Sequence, residues 1–273
     1  MPSAFQMATT LQRYVPRRWL AGVANLVMAA KGDQRRFAVD AAGHWVNAQP
    51  QGSFVGPDLH TAHYAQIEAR VSAYWFHFYR PKAGDTVIDV GAGIGEDAVI
   101  LSQLVGASGK VHAIEAHPGI YRCLTATIEQ SRLANVVPYQ LAIMESDGSV
   151  CITDDSEHLG NSIVADGAGI EVEGWSLDHF IASTGEAKID FLKMNIEGAE
   201  SGALRGLAQQ AGKIRHVAIS CHDFVARAGG GDHFRTREEV RKRLLELGFV
   251  IDQRDGDLLP WEADVLFGKR AGS

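Results

Sequence analysis

Thr86-Val87-Ile88-Asp89-Val90-Gly91-Ala92-Gly93-Ile94-Gly95-Glu96 passes from a β-branched run into three alternating glycines. β-Branched residues suit a pleated, packed strand. Glycine lets the backbone turn sharply and approach a ligand with no Cβ in the way. Such a run gains meaning at a strand-to-helix turn, and a helical pattern does follow, from about Gly95 to Val105. In open α/β sheets this crevice, outside the carboxyl ends of the strands, is where ligands bind.

Outward from the turn, strand and helix alternate. Val111–Glu115 reads as a second strand, Pro118 opens a helix where a missing N–H costs nothing, and Val136–Ile143 reads as a third strand. Gly148–Trp175 is less regular, with extra short strands expected, before Ser176 caps a short helix through Phe180. Ile189–Ile196 and His216–Cys221 are the fourth and fifth main strands, with a helix over Ala199–Ala211 between them. Thr236 and Glu239 have capping-box spacing, and Gly248 stops the helix they open. Phe249–Arg254 and Asp264–Phe267 are joined by too short a loop for a crossover helix, so they should pair antiparallel. The expected fold class is α/β, a mostly parallel, seven-stranded Rossmann-like sheet covered on both faces and ending in an antiparallel hairpin. Such an ending is more typical of methyltransferases than of dehydrogenases.

Residues 1–80 read differently. They offer a helix near 17–31, a short hairpin at Phe37–Val46, a Gly/Pro-bearing loop from Gln49 to Pro57 and an aromatic-rich helical pattern from Thr61 to Tyr79. The expected division is an N-terminal helical extension or lid over 1–80 and a Rossmann-like domain over 81–273.

The glycines are spaced G-x-G-x-G, unlike the G-x-G-x-x-G of dinucleotide sites, and Asp89 stands two residues before the first of them. A pyrophosphate prefers bare amides and a helix dipole. S-adenosylmethionine has no phosphate, and its ammonium and sulfonium suit a nearby carboxylate. Glu115 ends the second strand, 24 residues after Gly91, where an acid accepts hydrogen bonds from ribose hydroxyls. That acid alone would equally suit NAD. An NAD-dependent oxidoreductase, a non-catalytic adenosyl-binding protein and a plain packing turn therefore stand as alternatives.

Asp89–Glu96, Ile114-Glu115-Ala116-His117-Pro118, Ser176-Leu177-Asp178 and Ile189-Asp190-Phe191-Leu192-Lys193-Met194-Asn195-Ile196-Glu197-Gly198-Ala199-Glu200 together resemble the FkbM-type methyltransferases, over roughly residues 84–270. The resemblance implies a class I methyltransferase fold, S-adenosylmethionine as methyl donor, and O-methylation of a sugar, glycoside or other natural-product hydroxyl. It supports Asp89, Gly91, Gly93 and Glu115 as cofactor contacts; Ala92, Gly95, Glu96, Ala116 and Asn195 complete the expected set. Asn195 stands where the family more often carries Asp, which weakens the case for an acidic metal ligand or base there.

An alcohol that accepts a methyl group must lose its proton, to a positioned base or with the help of a Lewis-acid metal. Asn195 and Glu197 follow strand four, and His222 and Asp223 follow strand five, so all four converge on one cleft. His222 is the first choice as general base, since an imidazole titrates near neutral pH, with Asp223 orienting it and Glu197 as a further catalytic acid. The set Asn195, Glu197, His222 and Asp223 also offers ligands for a divalent ion such as Mg²⁺. Blander roles compete: Glu197 and Glu200 as carboxylates favouring a helix start, His222 as a satisfied strand-end histidine. His60, His63 and Tyr64, with His158 and Asn161 further on, are secondary candidates for an acceptor site. The aromatic residues at 74–79 read as core before they read as a sugar-stacking platform.

A formal net charge of -7 makes nucleic acid a poor partner, leaving a small-molecule acceptor as the expectation. Cys123, Cys151 and Cys221 are few, odd in number and far apart, which excludes a disulfide framework and suits a cytoplasmic location. The apolar run Trp19–Ala30 is too short to span a bilayer and starts too late for a signal peptide. It reads as a surface or partner-packing helix that would allow a homodimer.

Overall fold

The computed structural model describes residues 15–153, 169–254 and 256–271. Its centre is a seven-stranded sheet built on β4 (Thr86–Val90), β5 (Lys110–Ile114), β6 (Val136–Tyr139), β10 (Ile189–Met194), β11 (Ile214–Ser220), β12 (Phe249–Asp252) and β13 (Val265–Arg270), in the order β12-β13-β11-β10-β4-β5-β6. From β11 through β10, β4 and β5 to β6 every pairing is parallel. β13 runs antiparallel to both β11 and β12, as the short connection requires.

Two-residue periodicity assigns the faces. Val87, Phe191, Ala218 and Phe267 pack in one core cluster, and Ile88, Leu192, Val217 and Leu266 in the other. Each fully buried apolar side chain contributes about 1.5–3 kcal/mol, so a sheet filled on both sides is the main source of stability. Helices α3 (Glu96–Val105), α4 (Pro118–Ser131), α5 (Leu177–Thr184), α6 (Glu200–Arg205), α7 (Asp223–Arg227), α8 (Arg237–Glu246) and α9 (Pro260–Ala263) occupy the connections. Pro118 sits at the first turn of α4, and the Ser176 hydroxyl caps α5 by accepting the His179 N–H.

Several boundaries differ from expectation. The run 136–143 is two strands, because β5 offers no pairing beyond Glu115, whose N–H bonds the Tyr139 carbonyl. The chain then leaves for a three-stranded sheet of β7 (Ala142–Met144), β8 (Gly148–Ile152) and β9 (Ile170–Ser176). The helix expected over 199–211 keeps only α6, and that expected over 61–79 keeps Tyr64–Trp75. Thr236 makes no side-chain cap; its hydroxyl goes to Glu200, and Glu239 pairs with Arg205. Pro260 and Trp261 begin a one-turn helix rather than a plain loop.

The N-terminal segment contains α1 (Arg17–Ala30), a three-stranded antiparallel meander of β1 (Arg36–Val39), β2 (Trp45–Gln49) and β3 (Gly52–Gly56), and α2 (Tyr64–Trp75). β3 replaces the loop expected at 49–57, and its five residues are all buried. It lies along α4, where the Thr127 hydroxyl accepts the Val55 N–H at 2.9 Å and the Ser131 hydroxyl both accepts from Ser53 N and donates to Ser53 O. Phe54, Tyr64, Ile67, Val71 and Trp75 join the core cluster of one sheet face. Among the described residues, no helix is long and apolar enough to cross a membrane.

Replacing Thr127 with Val should strand the buried Val55 N–H at a cost of about 1–3 kcal/mol. In a thermal melt this lowers the midpoint by about 2–4 °C per kcal/mol for a chain of this size. A midpoint equal to that of the parent would show that the β3–α4 seam does not hold the segment down.

Candidate active site

Lys193 is one of two charged residues of β10, with Asp190, and it is 2% exposed. A lysine so placed must find carboxylates. Its ammonium stands 2.8 Å from Asp89 Oδ1 and 3.1 Å from Asp97 Oδ2, and it donates to the Gly91 carbonyl at 2.9 Å. It also lies 5.0 Å from the Trp75 ring centre, and the Trp75 indole N–H donates to Asp97 at 3.0 Å. Burial disfavours the ammonium, but Asp89 and Asp97 outweigh it and hold the Lys193 pKa above its usual value. Asp89 is fully buried, and burial pushes its pKa up against the pull of Lys193. Its carboxylate faces Lys193, which in turn holds the first glycine carbonyl.

The three glycines have different reasons to be glycine. All have positive φ. A Cβ on Gly91 would stand 2.0 Å from the Asn195 carbonyl oxygen, because the ends of β4 and β10 are pinned there, with Asn195 N–H donating to Val90 O. A Cβ on Gly95 would meet Leu124 at 2.9 Å, where α3 crosses α4. A Cβ on Gly93 would meet nothing within 4 Å. Gly93 therefore faces open space, as the loop does where a ligand is to lie against its backbone.

Glu115 closes this cradle. Oε2 accepts the Gly93 N–H at 3.0 Å and Oε1 accepts the His117 N–H at 2.8 Å. Each oxygen keeps a second lone pair for a ligand hydroxyl. Burial raises the Glu115 pKa, with the two backbone donors opposing. The Gly91 and Ala92 N–H groups both turn back to the Ile114 carbonyl, and Ala116 packs against the cluster of Ala142, Ile152 and Val172. Glu96, expected among the cofactor contacts, pairs with His60 Nε2 at 2.8 Å and with Arg70, tying α3 to the N-terminal segment. The Gly93 opening and the Glu115 lone pairs fit an adenosine-bearing group.

Beside the glycine turn lies a cleft of about 520 Å³, walled by Arg70, Tyr74 and Trp75 of α2, by Asn195, Glu197 and His222 at the strand ends, and by Leu259, Trp261 and Glu262. Glu197 has a positive φ of 46°, a conformation that costs a non-glycine residue about 1 kcal/mol or more. Gly198 follows at 91°, beneath Phe234. The turn points the Glu197 carboxylate at His222, with Oε2 3.3 Å from Nε2. The other ring nitrogen donates to Glu200 at 2.5 Å. Glu200 is wholly buried and also accepts the Thr236 hydroxyl at 2.8 Å and the Gly198 N–H at 3.1 Å. Burial disfavours the imidazolium, yet Glu197 and Glu200 prevail and raise the His222 pKa to about 10.

Asp223 is not the residue that orients His222. One of its oxygens accepts the Thr236 and Arg237 N–H groups, capping α8, and Glu200 takes the orienting role. The expected divalent ion gains no support from the described residues. Both His222 nitrogens are committed to carboxylates, Asp223 serves a helix terminus, and no group of three or more His, Cys, Asp or Glu among the described residues is arranged to hold an ion. His63 pairs with Asp33 and Tyr64 with Gln103, away from the cleft. His158 and Asn161 lie outside the described residues. Lys193, Asp97 and Thr236 were not among the residues expected at the site. The legible sign was a lone lysine in the strand run Ile189–Met194, which demanded acidic partners without saying which.

Sheet order, the antiparallel β13 and the glycine turn define a class I methyltransferase fold. Residues 89–251, more than half of the chain, match the Methyltransferase FkbM domain, and the chain belongs to that family. Among solved structures it is similar to methyltransferase FkbM from Methylobacillus flagellatus KT, at 19% identity and a TM-score of 0.53, over 75% of this chain and 49% of that one. It thus spans about half the length of that protein. It also aligns with a SAM-dependent O-methyltransferase from Thermotoga maritima (15% identity, TM-score 0.44, 86% of this chain and 77% of that one). Fibrillarin from Aeropyrum pernix, solved with natively bound S-adenosyl-L-methionine, aligns at 14% identity and TM-score 0.44 over 85% and 96% of the two chains. Curated protein sequences yield no match.

Gly91→Ala and Gly93→Ala should separate fold from ligand binding. The first collides with backbone and prevents a native melt; the second folds and loses affinity for S-adenosylhomocysteine, read by calorimetry. Equal behaviour of the two variants would contradict the distinct roles.

His222 makes stability pH-dependent. Its folded pKa lies above the ordinary 6.5, so its contribution is complete below about pH 6.5 and is lost as pH rises toward about 10. The melting midpoint should therefore fall from pH 7 to 10, and His222→Gln should flatten that slope. An unchanged slope in the variant would remove His222 as its source.

Proposed function

We propose that the protein is an S-adenosylmethionine-dependent O-methyltransferase acting on a hydroxyl of a small molecule, with a sugar, glycoside or related natural product as the first acceptor class to test. The observation that carries this reading is the adjacency of two features. The Gly93–Glu115 cradle suits an adenosine ribose, and the neighbouring cleft presents a partly exposed carboxylate, Glu197, with aromatic and polar walls. When bound, S-adenosylmethionine supplies an electrophilic methyl group. Family membership supports that donor over NAD, and the acceptor class rests on the resemblance.

Glu197 is the better candidate for the group that takes the acceptor proton. His222 already carries a proton that two carboxylates hold, and releasing it would leave Glu200 buried and uncompensated, a cost of several kcal/mol. Glu197, Glu200 and the imidazolium together carry one net negative charge, so the cluster has room for one more proton, on the carboxylate that faces the cleft. His222 keeps that carboxylate aimed. Residues 1–80 act as the acceptor-side lid in this reading, since Arg70, Tyr74 and Trp75 form one wall. The Tyr74 hydroxyl reaches across to Ser220 Oγ at 2.9 Å.

The test is transfer of labelled methyl from S-adenosylmethionine to a panel of glycosides and natural-product alcohols, beside calorimetry against S-adenosylhomocysteine and NAD. Glu197→Gln should keep S-adenosylhomocysteine affinity and lose about 10²–10⁴-fold in kcat. Tight binding of NAD without S-adenosylhomocysteine binding would end the methyltransferase reading; undiminished turnover in Glu197→Gln would remove only the assignment of the base.

A further inference from the structure

Helix α1 has two apolar faces. Ala21 and the partly buried Leu20, Ala24 and Met28 pack against Phe37, Trp45 and Leu59. The opposite face carries Trp19, Val23, Leu26 and Val27, exposed by 74, 59, 73 and 43%. At 100° per residue these four fall on one side, together with Gly22, Ala29 and Ala30, and no polar side chain interrupts them. Four of the ten large apolar residues that the described chain exposes thus sit on a single fourteen-residue helix. A helix that is apolar all round is ordinarily covered on both sides.

Charge indicates the cover. The first 32 residues contain Arg13, Arg17, Arg18 and Lys31 and no Asp or Glu, whereas the remaining chain holds 22 basic against 33 acidic residues. Arg18 and Lys31 are exposed at the two ends of the apolar face, and Arg36 is exposed just beyond. Asp33, the first acidic residue, is already engaged by Arg35. A second copy of this chain is the poorer occupant. In a parallel pair of α1 helices Arg18 faces Arg18, in an antiparallel pair Arg18 faces Lys31, and neither arrangement brings a carboxylate of the helix to answer them. An anionic bilayer answers both features. Its headgroups pair with the basic ends, its acyl boundary takes Leu26 and the valines, and the indole of Trp19 suits the interface between them.

We propose that the outward face of α1 is a docking surface for an anionic phospholipid bilayer, on which the helix lies in the plane of the interface. The full chain is floated with vesicles of phosphatidylcholine alone and with vesicles containing phosphatidylglycerol, at low and raised salt. The expected result is binding to the anionic vesicles that weakens as salt increases, with little to the neutral ones. Leu26→Glu should reduce the bound fraction about tenfold or more, and the pair Arg18→Glu with Lys31→Glu should do the same without removing an apolar group. These positions lie outside the cleft, so melting midpoint and S-adenosylhomocysteine affinity should match the parent and report that the fold is intact. Equal binding to neutral and anionic vesicles overturns the proposal. So does undiminished binding of either variant, or a dimer in light scattering that Leu26→Glu dissociates while neither vesicle is bound.

Discussion

The ammonium of Lys193 is the interaction around which the ligand end of the sheet is arranged. It is buried between β4 and α3, and it holds two carboxylates of like charge, Asp89 and Asp97, that would otherwise repel each other in a region poor in water. It also grips the carbonyl of Gly91, which sets where the glycine turn begins. Removing one partner from such a group leaves a buried charge unmatched, typically a loss of 3–5 kcal/mol. The acid before the glycines is thus a foundation for the turn. The acid after β5, Glu115, ties the turn to the start of α4 by accepting the Gly93 and His117 N–H groups.

The second buried charge cluster follows the same logic with a different outcome. Glu200 has no exposure, and its charge is matched by the His222 imidazolium, by the Thr236 hydroxyl and by one backbone N–H. The two carboxylates beside it favour the protonated imidazole and hold the His222 pKa above that of an isolated imidazole. In the proposed reaction the proton acceptor is then Glu197, whose unusual backbone conformation aims its carboxylate between His222 and the cleft.

The N-terminal segment takes part in both clusters' surroundings. Trp75 covers Lys193 and donates to Asp97, Arg70 and His60 hold Glu96, and Tyr74 spans to Ser220. The Arg254 guanidinium closes the carboxyl end of α2 by donating to the Ala73 and Tyr74 carbonyls. One end of this segment therefore forms a wall of the cleft, while α1, at its other end, faces outward.

What the linear chain determined was periodic or local. β-Branched runs separated by helical stretches specify a parallel sheet, a short final connection specifies an antiparallel end, and glycines at a strand-to-helix turn mark the ligand crevice. Pro118 and Ser176 declare their helix starts because their effects act within one turn. The tertiary structure decided the partners of the charged groups. From the sequence, Asp89 and Glu96 are expected at the cofactor, Asp223 beside His222 and Thr236 at the start of its own helix. Within the fold Asp89 pairs with Lys193, Glu96 with Arg70, Glu200 with His222 and Thr236 with Glu200. Hydrogen bonds and ion pairs act over about 3 Å in space, and strands far apart in the chain become neighbours only once the sheet has formed. The residue types therefore declared that charges had to be matched, and only their packing settled which ones met.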